Sequence, residues 1–145
     1  MKPYARQASV RWLGAGRRSK AASYQPRTNL QMIPNSKPDR LKPRGVNPPE
    51  LIAAAHAGSF SVTLANQLAE AGYHPRQIDT TTTVVMERIH NVWTLTQVHL
   101  DVTAHVPKAA ECDFVDAALQ AKANCPISRA LNANISMRAK LAHTL

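Results

Sequence analysis

A chain of 145 residues suits one domain with a core of its own, and with 44% hydrophobic residues but only 5% aromatic that core must be mostly aliphatic. The net charge of +9 sits entirely in residues 1–46, which hold 11 Lys+Arg against one acid (+10), while residues 47–145 hold 7 against 8 (−1). No apolar run reaches the length of about 18 residues that a span needs, so no membrane contact is expected.

Residues 5–13 place Ala8, Val10 and Trp12 on one face, which fits a strand. Gly14 and Gly16 read as a turn, and residues 19–24 as a second short strand. Residues 26–49 contain six prolines, which remove backbone donors and favour loop or edge structure. A loop of that length points to a docked or functional segment.

The next signal is a helix start. Asn47 can cap it, Pro48 suits the first helical position, and Glu50 completes a capping-box spacing. The helix runs to about Ala71, where Gly72 is a stop signal and Pro75 follows. Its first part is small and apolar nearly all round, which predicts a buried central helix under a sheet or a second subunit.

Residues 80–88 are rich in β-branched side chains, and residues 93–106 alternate, with a slip of one residue near Gln97 that predicts a bulge. His90 and Asn91 form the hairpin turn between these strands. Residues 109–123 read as a second helix using Phe114, Val115, Ala118 and Leu119, and Asn124-Cys125-Pro126 interrupts it. A short helical turn over residues 127–131 and a strand over residues 133–141 complete an α+β fold with a mainly antiparallel sheet.

The two cysteines, Cys112 and Cys125, are not a CxxC pair, and no Cys/His cluster has zinc-ligand spacing. No metal or cofactor is expected. Both thiols read as reduced, with at least one a core residue, and Cys112 as an ordinary semi-buried cysteine. Glu111 and Asp113 beside Cys112 would raise its pKa, the wrong direction for a nucleophile, whereas Cys125 precedes a helix start that would lower its own. The basic stretch has no nucleic-acid motif and no interleaved aromatics, so it reads as a solvated segment and not as a nucleic-acid site. The N-terminus is basic but lacks an apolar run after Arg6, which leads to the expectation of a cytoplasmic protein.

Three ordered segments, residues 47–61 with His56-Ala57-Gly58, residues 71–73 with 78–81, and residues 121–131 around Cys125-Pro126, resemble the OsmC/Ohr family of thiol-dependent hydroperoxide reductases. The branch they resemble more is that of OsmC. The resemblance covers residues 47–141 and leaves 1–46 as a divergent basic region of the same single domain. It implies an OsmC-like fold in an intertwined homodimer, with two sites at the subunit interface. An organic hydroperoxide would be the substrate and a dithiol the reductant. The family uses a peroxidatic cysteine, a resolving cysteine, a loop arginine and a glutamate ten residues before the peroxidatic position.

Carried onto this sequence, the peroxidatic position is Ser59 and the resolving one is Cys125. The arginine is Arg40, with Arg44 as the alternative. The glutamate position holds Pro49, and Glu50 beside it is rotated by about 100° on the helix. A serine hydroxyl is not ionised near neutral pH and forms no sulfenic acid, so Ser59 implies an impaired or inactive member of the family. A single engineered Cys→Ser trap would have left the glutamate in place, so Pro49 favours natural divergence. An alternative reading is a non-catalytic binding protein on the same scaffold, using the basic region for an anionic ligand or nucleic acid. His56, one turn before Ser59, is a candidate pocket hydrogen-bonder, and without a third member the pair does not make a hydrolase.

Overall fold

The computed structural model describes residues 2–14, 20–23 and 47–142, with nothing to be said of the side chains of residues 20–23. Arg40, Arg44, His143 and most of the basic stretch lie outside the described residues. Within them the order is β1 (Tyr4–Leu13), β2 (Lys20–Ser23), α1 (Pro48–Glu70), β3 (Gln77–Ile89), β4 (Val92–His105), α2 (Glu111–Asn124), α3 (Pro126–Ala130) and β5 (Asn134–Leu141).

The strands form one sheet in the order β2-β1-β3-β4-β5. The first three pairings are antiparallel and β4–β5 is parallel. The parallel pair has a direct cause: α2 and α3 carry the chain back between β4 and β5, the long crossover that a parallel neighbour requires. The sheet is therefore mainly antiparallel, as the sequence predicts.

β1 and β3 alternate, as do most of β4 and β5. Ala8, Val10 and Trp12 on β1, Ile78, Thr80, Thr82 and Val84 on β3, and Val98, Leu100, Val102 and Ala104 on β4 are buried. Their neighbours face outward, where Arg11 pairs with Asp79 at 2.8 Å and Ser9 with Thr81 at 2.7 Å. The bulge falls one residue earlier than the slip in the pattern suggests. Val85 pairs with Gln97 but Met86 with Leu95, leaving Thr96 as the extra residue. The β3–β4 turn is a two-residue loop with positive φ at both His90 (49°) and Asn91 (65°), the geometry that follows the twist of the strands.

Helix α1 crosses the buried face of the sheet. Asn47 accepts the Glu50 amide at 2.8 Å, as the capping pattern predicts. Phe60, Leu64 and Leu68 recur every fourth residue and are fully buried in a core with Trp12, Ile78, Leu100 and Phe114. Ala53, Ala57 and Ala65 are also fully buried; their small side chains let the helix axis approach the sheet. On α2 the buried residues are Phe114, Ala117, Ala118 and Ala121. Leu119, which the pattern placed on the apolar face, is 52% exposed because the inward stripe turns through Ala117 and Ala121 instead.

The end of α1 is a Schellman motif. Tyr73 N–H donates to Leu68 O at 2.9 Å and Gly72 N–H to Ala69 O at 3.0 Å, with Gly72 at φ 91°. A Cβ at Gly72 would meet nothing within 4 Å, so its cost is purely conformational. Gly72→Ala is expected to lower unfolding stability by about 1–2 kcal/mol, read from urea unfolding midpoints.

Candidate functional site

Cys125 sits at a helix junction. Its N–H makes the last bond of α2, to Ala121 O at 2.8 Å, and its carbonyl accepts the Arg129 amide at 3.0 Å to start α3. Pro126 has no amide hydrogen to continue α2 and is pre-set for the first position of the next helix, so the chain must turn at Cys125. That turn aims the thiol at α1. Ser128, one helical turn further on, is brought to the same side.

On α1, His56 and Ser59 lie three residues apart and share the face that meets α3. His56 is fully buried and its Nε2 lies 2.7 Å from Ser128 Oγ. The Cys125 thiol donates to Ser59 Oγ at 3.3 Å. The two positions to which the resemblance assigns the cysteine pair are therefore in direct contact. His56 Nδ1 is buried without a hydrogen-bond partner.

Burial of Cys125 opposes its ionisation, but the polar groups of His56, Ser59 and Ser128 around the sulfur outweigh it and lower the pKa from 9.0 to about 6. In the ionised form the Ser59 hydroxyl reverses and donates to the sulfur. The site thus favours ionisation of Cys125 to the thiolate, the reactive form of the residue. The unfolded chain binds more protons than the folded one between the two pKa values. Stability should therefore rise with pH from about 6 to 9.0, and this contribution should vanish as pH falls through about 6. Thiolate absorbance should titrate with a midpoint near 6, and Cys125→Ser should remove both the absorbance change and this slope of stability against pH.

The other expected site residues are placed differently. Glu50 is buried in the first turn of α1, roughly 14 Å along the helix from Ser59 at about 1.5 Å per residue, so one chain does not bring it to the Cys125 sulfur. Arg40 lies outside the described residues. Cys112 is exposed, not semi-buried, because the first turn of α2 points that side chain away from α1. It stands near the start of α2 and Cys125 just past its end, roughly 20 Å apart along the helix, beyond disulfide reach. His99 and His90 are on the surface, and His105 is half-buried at the end of β4.

Ser128 is the site residue that the sequence reading passed over. The signal was its spacing of three from Cys125 behind a helix-starting proline, which returns a side chain to the cap position. Among the described residues no group of three or more His, Cys, Asp or Glu is placed to hold a metal ion, and no helix is long and apolar enough to cross a membrane.

Residues 41–140 match the family model described as OsmC-like protein. The Peroxiredoxin OsmC of Escherichia coli (strain K12) is 39% identical over 94 residues, covering 65% of this chain and 66% of that protein. The Shigella flexneri protein of the same name matches to the same extent. The alignment thus spans slightly less than two thirds of these relatives' own length. Among solved structures, the OsmC-like protein from Mycoplasma pneumoniae superposes with a TM-score of 0.62 at 16% identity, covering 74% of this chain and 79% of that one. The OsmC-like protein from Vibrio cholerae gives 0.60 at 14% identity, covering 66% and 64%. At such identities these two structures speak to the fold alone.

Proposed function

Because this chain belongs to the OsmC-like family, we propose that its site is a hydroperoxide-directed thiol pocket in which the two-cysteine cycle is broken at Ser59. The observation that carries this reading is the 3.3 Å contact between the Cys125 sulfur and Ser59 Oγ. A thiol at position 59 would be poised to close a disulfide onto Cys125; a hydroxyl there accepts no oxygen from a peroxide and closes no disulfide.

The substrate class is an organic or other small hydroperoxide, by analogy with the relatives, and the reductant of an intact cycle would be a dithiol. The protein acts in the cytoplasm as a homodimer. Support for the dimer comes from apolar side chains left open on one copy: Val62 on α1 is 47% exposed, and Ile89 and Val92 flanking the β3–β4 turn are 44% and 62% exposed. Arg40 is the cation we assign to the pocket, on the resemblance alone.

The test is consumption of an organic hydroperoxide with a dithiol as reductant, followed by mass mapping without reduction. The unaltered chain should show no intramolecular disulfide and no turnover that depends on one. A disulfide-linked cycle in the unaltered chain would overturn the reading.

A further inference from the structure

We propose that Cys125 is itself the sulfur nucleophile of this chain, reducing small hydroperoxides with His56 as its proton partner and a monothiol as the external reductant. The inference rests on the reading that this pocket handles hydroperoxides. It goes beyond that reading by moving the attack from position 59 to position 125 and by replacing the dithiol with a monothiol.

Three observations meet here. The first is a cluster, not a lone thiol: Cys125 is held by Ser59 from α1, three residues from His56, and His56 is bonded to Ser128 one turn beyond Cys125. The second is His56. Its ring is fully buried, Nε2 is fixed on Ser128 Oγ at 2.7 Å, and Nδ1 has no partner. Buried polar atoms are nearly always satisfied, so an unpaired ring nitrogen next to an ionisable thiol marks a position that takes up a proton or meets a ligand. The third is the approach. Cys125 is fully buried, Ser59 in front of it is half-buried, and a Cβ on the adjacent Gly58 would meet nothing within 4 Å. A molecule arriving along this side of α1 reaches the sulfur when the Ser59 side chain turns away. That route selects for size, so hydrogen peroxide and short alkyl hydroperoxides should outrun bulky ones.

The chemistry balances without another cofactor. Cys125 passes its proton to His56 and becomes thiolate. The sulfur attacks the distal oxygen, the S–O bond forms as O–O breaks, and the leaving oxygen takes the proton from His56 to depart as water or an alcohol. Cys125 is oxidised to sulfenic acid and the hydroperoxide is reduced. Cys112 is too distant to resolve it. A monothiol then displaces water to give a mixed disulfide, and a second monothiol releases Cys125 with formation of the external disulfide. Ser128 is a positioning residue that fixes the imidazole.

The experiment treats the full chain, with Cys112→Ser to remove the exposed thiol, with hydrogen peroxide and a dimedone trap. Alongside it, peroxide consumption is followed with glutathione as reductant. One dimedone adduct on Cys125 and glutathione-dependent turnover are expected, both lost in Cys125→Ser. His56→Gln should slow sulfenic acid formation about a hundredfold, in the range of general acid–base assistance. Ser128→Ala should raise the midpoint of the pH–rate profile while leaving Cys125 reactive. That readout holds even if His56→Gln fails to fold. An unlabelled Cys125, or a rate per thiolate no higher than that of free cysteine, would overturn the inference. Ser59→Cys run in parallel separates the two levels: dithiol turnover in that variant beside an inert Cys125 in the unaltered chain leaves the family reading standing. Inactivity of the unaltered chain and of Ser59→Cys, the latter also with Pro49→Glu added, removes both.

Discussion

Ser59→Cys is expected to raise dithiol-dependent consumption of an organic hydroperoxide by on the order of a hundredfold or more, since it supplies a nucleophile where none exists. The same variant should lose two hydrogens on oxidation, as a disulfide between positions 59 and 125. The geometry is close to sufficient: Ser59 Oγ already lies 3.3 Å from the Cys125 sulfur, and the helix–helix contact needs about 1 Å of closure to reach a disulfide bond length of about 2.05 Å. The two thiols would then differ in role. The one at 59 faces the half-buried, approachable side of α1, and Cys125 lies behind it.

Pro49 sets the second half of this expectation. The position to which the resemblance assigns a carboxylate holds Pro49, and Glu50 is buried one residue further along the helix. If Ser59→Cys alone restores turnover, that carboxylate is dispensable in this chain. If Pro49→Glu must be added, the loss of the carboxylate and of the thiol were separate steps. No gain from the double variant would remove the hydroperoxide reading of the pocket.

How far the sequence was legible depended on which interactions decided each element. The α1 cap, the Gly72 stop and the His90-Asn91 turn are local chemistry, and the structure places them where the residues predict. The contact between Ser59 and Cys125 came from the family pattern and not from periodicity, because 66 residues separate them and no spacing rule spans that gap. The parallel β4–β5 pair, the outward turn of Leu119 and the exposure of Cys112 were missed for a shared reason. Each is fixed by how α2 docks on α1 and β5, a tertiary choice that several rotations of the same helix pattern would have satisfied. Ser128 was hidden differently: in sequence it is an ordinary serine, and only the turn at Pro126 brings it to His56.

Phe60→Ala is expected to cost about 3–5 kcal/mol, a large part of the roughly 5–15 kcal/mol that holds a domain of this size together. Phe60 is fully buried and belongs to the main core with Leu64, Leu68 and Phe114, so truncation leaves a cavity that rigid neighbours cannot fill. Val62→Ala, two residues away on the exposed side of the same helix, should change monomer stability by no more than about 0.5 kcal/mol. Urea unfolding of the two variants checks the contrast, and equal losses would mean that α1 does not sit on the sheet as described. Phe60 also has a role in the site that stability alone does not report. It follows Ser59 directly, and its seat in the core sets the rotation of α1 that turns His56 and Ser59 toward α3. The milder Phe60→Leu should keep the chain folded while loosening that rotation. The Cys125 titration should then move up from about 6 toward the ordinary thiol value as the hydrogen bonds to the sulfur weaken. A destabilised variant with an unshifted titration would show that α3, not the core beneath α1, fixes the geometry at the sulfur.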